Sequence, residues 1–166
     1  AMLNETHHLF DLLDEQSRFE DYELVILPDR IGPEPGLVKR LNQYLTRGGR
    51  ILASDRSLLN EPAGRFALPA LPVRYDAVLE HCPYYIRLDK AFGADVPAID
   101  YCMYEPGLAV RAQGKAEVGA WVVEPYFNRT VDHYCSHFQT PPARLTRHPV
   151  VVLSDRVAYV NGPVFG

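Results

Sequence analysis

Residues 126–142 hold the densest group of side chains that could bind a ligand. The segment reads YFNRTVDHYCSHFQTPP, and its polar candidates are Asn128, Arg129, His133, His137 and Gln139. Amide and guanidinium groups give directional hydrogen bonds, and the aromatic residues between them offer apolar faces. This combination is typical of a site for sugar hydroxyls or for a polar loop of a partner protein. The alternative is that the polar groups bond only to the backbone of the loop while the rings fill the core.

His133 and His137 stand four residues apart. On a helix their imidazoles would share one face and could bind a transition metal, while Cys135 would point away. Two ligands are too few for a structural zinc site, and the chain has no Cys-x-x-Cys motif to supply the others. We therefore expect no metal and no other cofactor.

Asp29 and Asp55 form a second candidate site, because each follows an apolar run that predicts a buried strand. Ligands of doubly wound sheets bind beyond the carboxyl ends of the strands, so two carboxylates there could act as acid and base or bind a cation. Aspartates at such positions more often cap the next helix or turn. Both interpretations stay open at the level of sequence.

An enzymatic hypothesis joins the two candidate sites. A small stand-alone hydrolase or sugar-modifying enzyme would use Asp55 with His133 or His137. This hypothesis requires the histidine segment to lie against the end of the strand.

The elements that must position these side chains begin with a strand–helix–strand unit. Leu24–Leu27 is a continuous apolar run, which is typical of a strand covered on both faces in a parallel sheet. A helix is predicted from Pro35, and Gly48 and Gly49 can end it. Its apolar face consists of Leu37, Val38, Leu41, Tyr44 and Leu45. A second buried strand begins at Ile51, so the unit predicts a doubly wound α/β structure.

The rest of the chain is predicted to consist mainly of strands separated by proline and glycine. Strands are expected at residues 9–14, 84–89, 108–111 and 118–123. Residues 150–153 and 157–160 flank Ser154-Asp155-Arg156, which predicts an antiparallel hairpin at one edge of a mixed sheet. Residues 58–76 are interrupted by prolines and glycine and predict a long surface excursion.

Length and composition predict a single globular domain spanning residues 1–166. A chain of 166 residues is long enough to bury roughly 70% of the surface of its unfolded form. No apolar run approaches the roughly 20 residues that cross a bilayer, so no membrane partner is expected. The net charge is −4 and there is no basic run, so nucleic acid is not expected as a partner either.

Cys82, Cys102 and Cys135 are odd in number and widely spaced, which favours a reducing compartment over a disulfide framework. The first residues lack the pattern of a secretory signal, so the cytoplasm is the expected location. Ala1 ahead of Met2, and a chain that stops just after the turn signal Asn161-Gly162-Pro163, indicate a domain excised from a longer chain.

Two segments of the chain resemble a known family. FEDYELVILPD, followed by LVKRLNQYLTRGGRILASD, is similar to the first half of the class I glutamine amidotransferase-like domain of multidomain glycoside hydrolases, known as the beta-galactosidase trimerisation domain. Residues 126–142 resemble a motif of related glycoside hydrolases of the alpha-fucosidase or beta-galactosidase kind. The resemblance covers most of the chain, and residues 58–76 match least.

The resemblance implies a flavodoxin-like three-layer α/β/α fold with a mostly parallel sheet, placed after a catalytic barrel domain of the same chain. It also implies assembly into a homo-oligomer. Loop residues could help to close the active site of the barrel, where a carbohydrate is one candidate ligand.

The resemblance does not imply catalysis by this domain. Amidotransferases carry their reactive cysteine in a Gly-x-Cys-x-Gly turn after a strand. The comparable strand end here reads Ala53-Ser54-Asp55-Arg56-Ser57, and that motif occurs nowhere in the chain. The sequence therefore predicts a noncatalytic assembly domain of a glycoside hydrolase.

Overall fold

The computed structural model describes residues 2–165, which fold mainly into strands. Helices are α1 (Met2–Glu5) and α2 (Pro35–Thr46), with a 3₁₀ turn at Phe19–Asp21. The strands are β1 (Leu24–Leu27), β2 (Arg50–Ser54), β3 (Leu59–Asn60), β4 (Arg65–Phe66), β5 (Val73–Val78), β6 (Tyr84–Leu88), β7 (Asp100–Met103), β8 (Leu108–Ala112), β9 (Glu117–Pro125), β10 (Pro142–Leu153) and β11 (Val157–Val160). Among the described residues, no helix is long and apolar enough to cross a membrane.

Seven strands form one mixed sheet in the order β1-β2-β11-β10-β9-β6-β7. β1 and β11 both pair with β2 in parallel, whereas all the other pairs of this sheet are antiparallel. β3 pairs with β4, and β5 pairs with β8, as two separate antiparallel ribbons. The sheet is therefore mixed, as the sequence predicts.

The prediction of a flavodoxin-like three-layer α/β/α fold with a mostly parallel sheet is wrong. That fold needs a crossover helix between each pair of parallel strands, and α2 is the only helix of such length in residues 2–165. After β2 the chain continues through proline-rich and glycine-rich connections into antiparallel strands, which need no crossover. The strand–helix–strand unit itself is confirmed, and α2 has Pro35 at its first turn.

The C-terminal hairpin is confirmed, but its predicted place at one edge of the sheet is wrong. β10 and β11 pair antiparallel, and β11 lies between β10 and β2 in the interior of the sheet. β11 has the sequence VAYV, which lacks the charged side chains and prolines that protect edge strands from pairing. The strand predicted at residues 9–14 is also wrong, because these residues form no strand.

One face of the sheet is packed on the main hydrophobic core. Val25, Ile51 and Val157 are neighbours across β1, β2 and β11, and all three are buried. α2 contributes Leu41 and Tyr44 to the same cluster, in agreement with the predicted apolar face of the helix. The 12-residue helix is thus held mainly by tertiary packing, since isolated helices of this length are marginal in water.

The prediction of a surface excursion for residues 58–76 is wrong. The segment carries five side chains that are at most 5% exposed and belong to the main core, namely Leu58, Leu59, Leu68, Leu71 and Val73. Prolines break the regular periods between these residues, but an irregular backbone can still turn leucines towards a core. The segment packs on the same face of the sheet as α2, and Phe66 contacts the ring of Tyr159 edge-on at 5.3 Å.

On the side of β1, β2 and β11 that faces away from the main core, a few apolar side chains are only partly covered by residues 2–165. Ile26, Leu52 and Ala158 are neighbours across β1, β2 and β11, and Leu153 on β10 pairs with Ala158. All four are only half-buried. None of them packs against the main core, or against the smaller buried cluster of Tyr84, Ala120, Val122 and Val150, in residues 2–165. We call these four residues the open sheet face.

Tyr84 ties the antiparallel strands to the end of β11. Its side chain is 1% exposed, and its hydroxyl donates to Oδ1 of Asn161 at 3.2 Å. Asn161 in turn exchanges two hydrogen bonds with the backbone of Leu108, through its side-chain nitrogen at 2.9 Å and its carbonyl oxygen at 2.7 Å. A Cβ on Gly162 would lie 2.5 Å from the Tyr84 hydroxyl, so this contact requires glycine.

Gly49→Ala should destabilise the fold by about 1–3 kcal/mol, because the added Cβ would lie 2.2–2.4 Å from ring atoms of Tyr44. That ring is buried, and its hydroxyl donates to the carbonyl oxygen of Tyr22 at 2.9 Å, so it cannot move aside freely. Urea denaturation measures the change in the free energy of unfolding.

The matched control is Gly36→Ala in α2, where nothing lies within 4 Å of the new Cβ. Alanine should stabilise the helix there by up to about 1 kcal/mol. Equal effects of the two substitutions would contradict the packing of Gly49 against Tyr44.

Candidate functional site

The loop of residues 126–141 connects β9 to β10 and is closed at its base by buried hydrogen bonds. Thr140 is 2% exposed, and its hydroxyl donates to the carbonyl oxygen of Phe127 at 2.8 Å. The hydroxyl of Tyr85 on β6 donates to the carbonyl oxygen of Thr140 at 2.5 Å. The strands β6 and β9 therefore fix where the loop leaves the sheet.

Asn128 and Arg129 hold the shape of the loop. The Asn128 side chain bridges two backbone groups, because its Oδ1 accepts from the N–H of Cys82 at 3.0 Å and its Nδ2 donates to the carbonyl of Glu80 at 2.8 Å. Arg129 Nη1 donates to the carbonyl of Phe138 at 2.8 Å. Both side chains thus bond to the backbone, which is the alternative that the sequence left open. Their role in binding a ligand remains a prediction.

His133 and His137 do not share a helical face, because the loop contains no helix. The His133 ring stacks on Phe127 with ring centroids 3.7 Å apart, and the backbone N–H of His133 donates to the hydroxyl of Thr130 at 3.0 Å. Cys135 lies between them, and its sulfur donates to the carbonyl of His137 at 3.4 Å. Among the described residues, no group of three or more His, Cys, Asp or Glu side chains is placed to hold a metal ion.

The loop presents a set of exposed rings that we call the aromatic surface. Its members are Tyr104, Tyr126, Tyr134 and Phe138, each at least 53% exposed. Tyr104 and Phe138 contact each other with ring centroids 5.7 Å apart, and the Arg129 guanidinium lies over the Phe138 ring at 5.8 Å. His137 is exposed and Gln139 half-buried in the same loop. Exposed rings beside hydrogen-bonding groups can bind the face of a sugar or an apolar patch of a protein.

Tyr104 is the member of this surface that the sequence does not predict. It follows β7, a strand of four half-buried residues without a clear alternation. The antiparallel pairing of β7 with β6 brings Tyr104 next to the loop. Nothing local in the sequence marks this long-range contact.

Two thiols on the strands and connections beside the loop, Cys82 and Cys102, are poorly suited to nucleophilic chemistry. Burial raises the pKa of Cys82 above its ordinary value, and the neighbouring Glu105 and Cys102 raise it further. Burial also raises the pKa of Cys102. Because the thiolate is the reactive form, a raised pKa lowers reactivity at neutral pH.

Asp29 acts as an acceptor for the C-terminal segment. It follows β1 with a φ of 44°, and its side chain is buried. Oδ1 accepts from the Ser54 hydroxyl at 2.6 Å and from the N–H of Val164 at 3.0 Å, and Oδ2 accepts from the N–H of Phe165 at 3.0 Å. Asp29 thus joins β1, β2 and residues 164–165, and it does not cap a helix.

Asp55 is more isolated than Asp29. It follows β2 with a φ of 47°, is 3% exposed, and its Oδ1 has no hydrogen-bond partner among the described residues. Burial raises the pKa of the Asp55 carboxyl, and the positive charge of Arg56 opposes this effect. A buried oxygen without a partner is costly for the folded state, since its hydration is lost without replacement.

The structure brings Asp55 close to Asp29 and not to the histidines. The charged groups that act on the Asp55 carboxyl are Arg56, Asp29 and Arg30. His133 lies in the exposed loop, stacked on Phe127, and His137 is exposed in the same loop. No observation therefore supports a catalytic pair of Asp55 with either imidazole.

Asp55→Asn should raise the free energy of unfolding at neutral pH. The raised pKa means that the folded state holds the proton more tightly than the unfolded state does, so this carboxyl favours folding at low pH. Its contribution is lost as pH rises from the ordinary value of 3.8 through the raised pKa. Asparagine stays neutral and tolerates the positive φ, so the gain over the parent chain should grow across this window.

Asp29→Asn is the matched control. An amide nitrogen in place of one carboxylate oxygen would face backbone N–H donors, so this variant should lose about 1–3 kcal/mol at neutral pH. Urea denaturation at several pH values measures both changes. A loss of stability in both variants would contradict the described difference between the two aspartates.

The fold and the loop together define a mixed-sheet domain that carries an aromatic surface. Among solved structures, the alpha-L-fucosidase isoenzyme 2 from Paenibacillus thiaminolyticus is 30% identical, with a TM-score of 0.88 over 97% of this chain and 24% of that chain. No protein-family model and no curated protein sequence matches this chain.

Two beta-galactosidases share the fold at lower identity. The enzyme from Bacillus circulans sp. alkalophilus is 19% identical, with a TM-score of 0.61 over 90% of this chain and 22% of that chain. The enzyme from Rahnella sp. R3 is 15% identical, with a TM-score of 0.61 over 91% of this chain and 22% of that chain. The chain thus spans about a quarter of the length of these glycoside hydrolases. The resemblance to domains of such enzymes is confirmed, and the amidotransferase-like label stays a prediction.

Proposed function

We propose that this chain is a single noncatalytic domain of a larger cytoplasmic glycoside hydrolase of the beta-galactosidase or alpha-fucosidase kind. In that enzyme it packs against the catalytic barrel of the same polypeptide and helps subunits to associate into a homo-oligomer. The similarity to about a quarter of a longer alpha-L-fucosidase chain supports the size and the context. The three free cysteines support a reducing compartment.

The open sheet face is the observation that carries this proposal. Ile26, Leu52 and Leu153 are half-buried apolar side chains that pack against neither core cluster of residues 2–165. Complete burial of a fully exposed side chain of this size stabilises by about 1.5–3 kcal/mol, and covering these half-buried side chains would supply part of that free energy. A partner surface that covers this face would contribute that part to the assembly.

Leu52→Thr in the isolated chain should change the free energy of unfolding by less than about 1 kcal/mol, because its side chain lies on the open sheet face. Ile51→Thr is the matched control on the same strand. Ile51 is 1% exposed in the main core, so its replacement should lose about 2–4 kcal/mol. If urea denaturation gave equal losses in the free energy of unfolding for the two variants, the described difference in burial between Leu52 and Ile51 would be contradicted.

The loop of residues 126–141 supports the second part of the proposal, which is that the domain lends side chains to a carbohydrate site of the barrel. The loop is fixed by Asn128, Arg129 and Thr140, so its exposed groups are held in place before any partner binds. A loop whose backbone is fixed in this way loses less conformational entropy when it binds than a loop without such bonds. Gln139 and the two imidazoles would then supply hydrogen bonds to sugar hydroxyls.

His137→Ala and Tyr134→Ala in the complete enzyme should each lower kcat/KM for a glycoside at least about tenfold, as expected when a group that contacts the substrate is removed. Both side chains are exposed and make no hydrogen bond in residues 2–165, so the fold should be unchanged. Val131→Ala is the control, because Val131 is 91% exposed in the same loop. If His137→Ala and Tyr134→Ala had the same kcat/KM as the Val131→Ala control and the parent enzyme, the loop would not contribute side chains to the carbohydrate site.

The complete reading frame tests the proposal as a whole. It should encode a (β/α) barrel with two catalytic carboxylates next to residues 1–166, and the encoded protein should be oligomeric in light scattering. The 166-residue chain alone should not hydrolyse nitrophenyl fucosides or galactosides. A reading frame limited to this domain, or turnover by the chain alone, would refute the noncatalytic role.

A further inference from the structure

A groove of about 1040 Å³ runs between the outer side of α2 and the ribbon of β3 and β4. Its cationic side chains are Lys39, Arg47 and Arg65, and its apolar contacts include Val38 and Phe66. No carboxylate lines it. In a chain with a net charge of −4, this is a local concentration of positive charge beside an apolar floor.

Among residues 2–165, two of the three cations have no partner of opposite charge. Arg47 Nη1 lies 2.7 Å from Oε1 of Glu20. Lys39 and Arg65 form no ion pair with any residue that the structure describes. The groove therefore suits an extended segment that combines carboxylates with apolar side chains.

The chain itself contains such a segment at residues 7–16, which we call the N-terminal arm. Leu9 and Leu12 are 102% and 93% exposed, as open to solvent as in an unfolded peptide. The arm also carries Asp11, Asp14 and Glu15 and has no basic residue other than two histidines. Single exposed leucines are common on protein surfaces. Here two almost fully exposed leucines lie within one four-residue stretch of an acidic segment, so the arm is a candidate binding element.

The arm is anchored to its own chain by residues outside the lining of the groove. Its Asp11 accepts from the hydroxyl of Tyr22 at 2.9 Å, and Leu13 packs against the main core. The carbonyl of Tyr22 accepts from Tyr44, which belongs to the core-facing side of α2. Lys39 lies on the outer side of α2, about half a turn from the core residues on a helix of 3.6 residues per turn. Leu9 and Leu12 are almost completely exposed, so in this structure they do not occupy the groove of their own chain.

We propose that the N-terminal arm of one copy binds the basic groove of a second copy, so that two chains exchange arms around a two-fold axis. Leu9 and Leu12 pack against Val38 and Phe66, and the acidic residues of the arm lie beside Lys39 and Arg65. The exchange is isologous, so one type of contact occurs twice and the assembly closes as a dimer. This inference rests on the proposed assembly role and names its contact.

Light scattering after size exclusion tests the contact in the 166-residue chain. The parent should contain a dimer that weakens as salt rises from about 0.05 M to about 0.5 M, because exposed charges are screened over a shorter distance. The arm variant Leu9→Ser/Leu12→Ser and the groove variant Lys39→Glu/Arg65→Glu should both be monomeric. Lys90→Glu/Arg147→Glu, which makes the same charge change on exposed residues outside the groove, should dimerise like the parent.

A mixture of the arm variant and the groove variant gives the decisive result. The groove variant keeps an intact arm and the arm variant keeps an intact groove, so the mixture should form a heterodimer with one contact although neither variant dimerises alone. Unchanged circular dichroism and thermal unfolding confirm that each variant is folded.

Two results would overturn this inference. A dimer that survives both double substitutions would refute the exchange of arms while leaving the assembly role in place. A monomeric parent chain would refute the exchange as well, and the reading frame and loop variants would still decide the proposed function independently.

Discussion

The parallel pairing of β11 with β2 is the constraint on which the rest of the structure depends. β11 follows β10 after three residues, so its position in the interior of the sheet fixes β10, and β10 fixes β9. The loop that leaves β9 is placed by this order of strands. The same insertion continues the core face from Val25 through Ile51 to Val157. Four apolar residues of β11 without a charge are therefore responsible for both the core and the position of the aromatic surface.

Local pattern was sufficient to predict α2, the strand–helix–strand unit and most of the later strands, since each has its own period and its own end signals. It failed where the result depends on distant partners. The leucines of residues 58–71 have no regular period, yet they belong to the main core together with residues of β1, β2 and α2. Sequence also predicted two strand-end aspartates, but only the fold decides that Asp29 receives the N–H groups of residues 164–165 while Asp55 keeps an unpartnered oxygen.

The sequence predicted the segment that forms the candidate site. It did not predict which of its side chains bond to the loop backbone and which are free to contact a ligand. Asn128 and Arg129 look equivalent to His137 and Gln139 in the sequence, but their side chains hold the loop through backbone groups from residues 80, 82 and 138. Such contacts span up to 48 residues and leave no local trace. The exposed groups are thus presented by a rigid frame, which is what a surface that acts on a neighbouring domain requires.

The contacts of Tyr84 have a consequence for how the molecule loses its structure. Its hydroxyl and Asn161 join β6, the start of β8 and the end of β11, which belong to the antiparallel and the parallel parts of the molecule. Neither part can separate from the other without breaking one of these buried hydrogen bonds. Backbone amides of β2 and β9, far apart in the chain, should therefore become accessible to hydrogen exchange in one shared event, and the chain should melt as one cooperative unit.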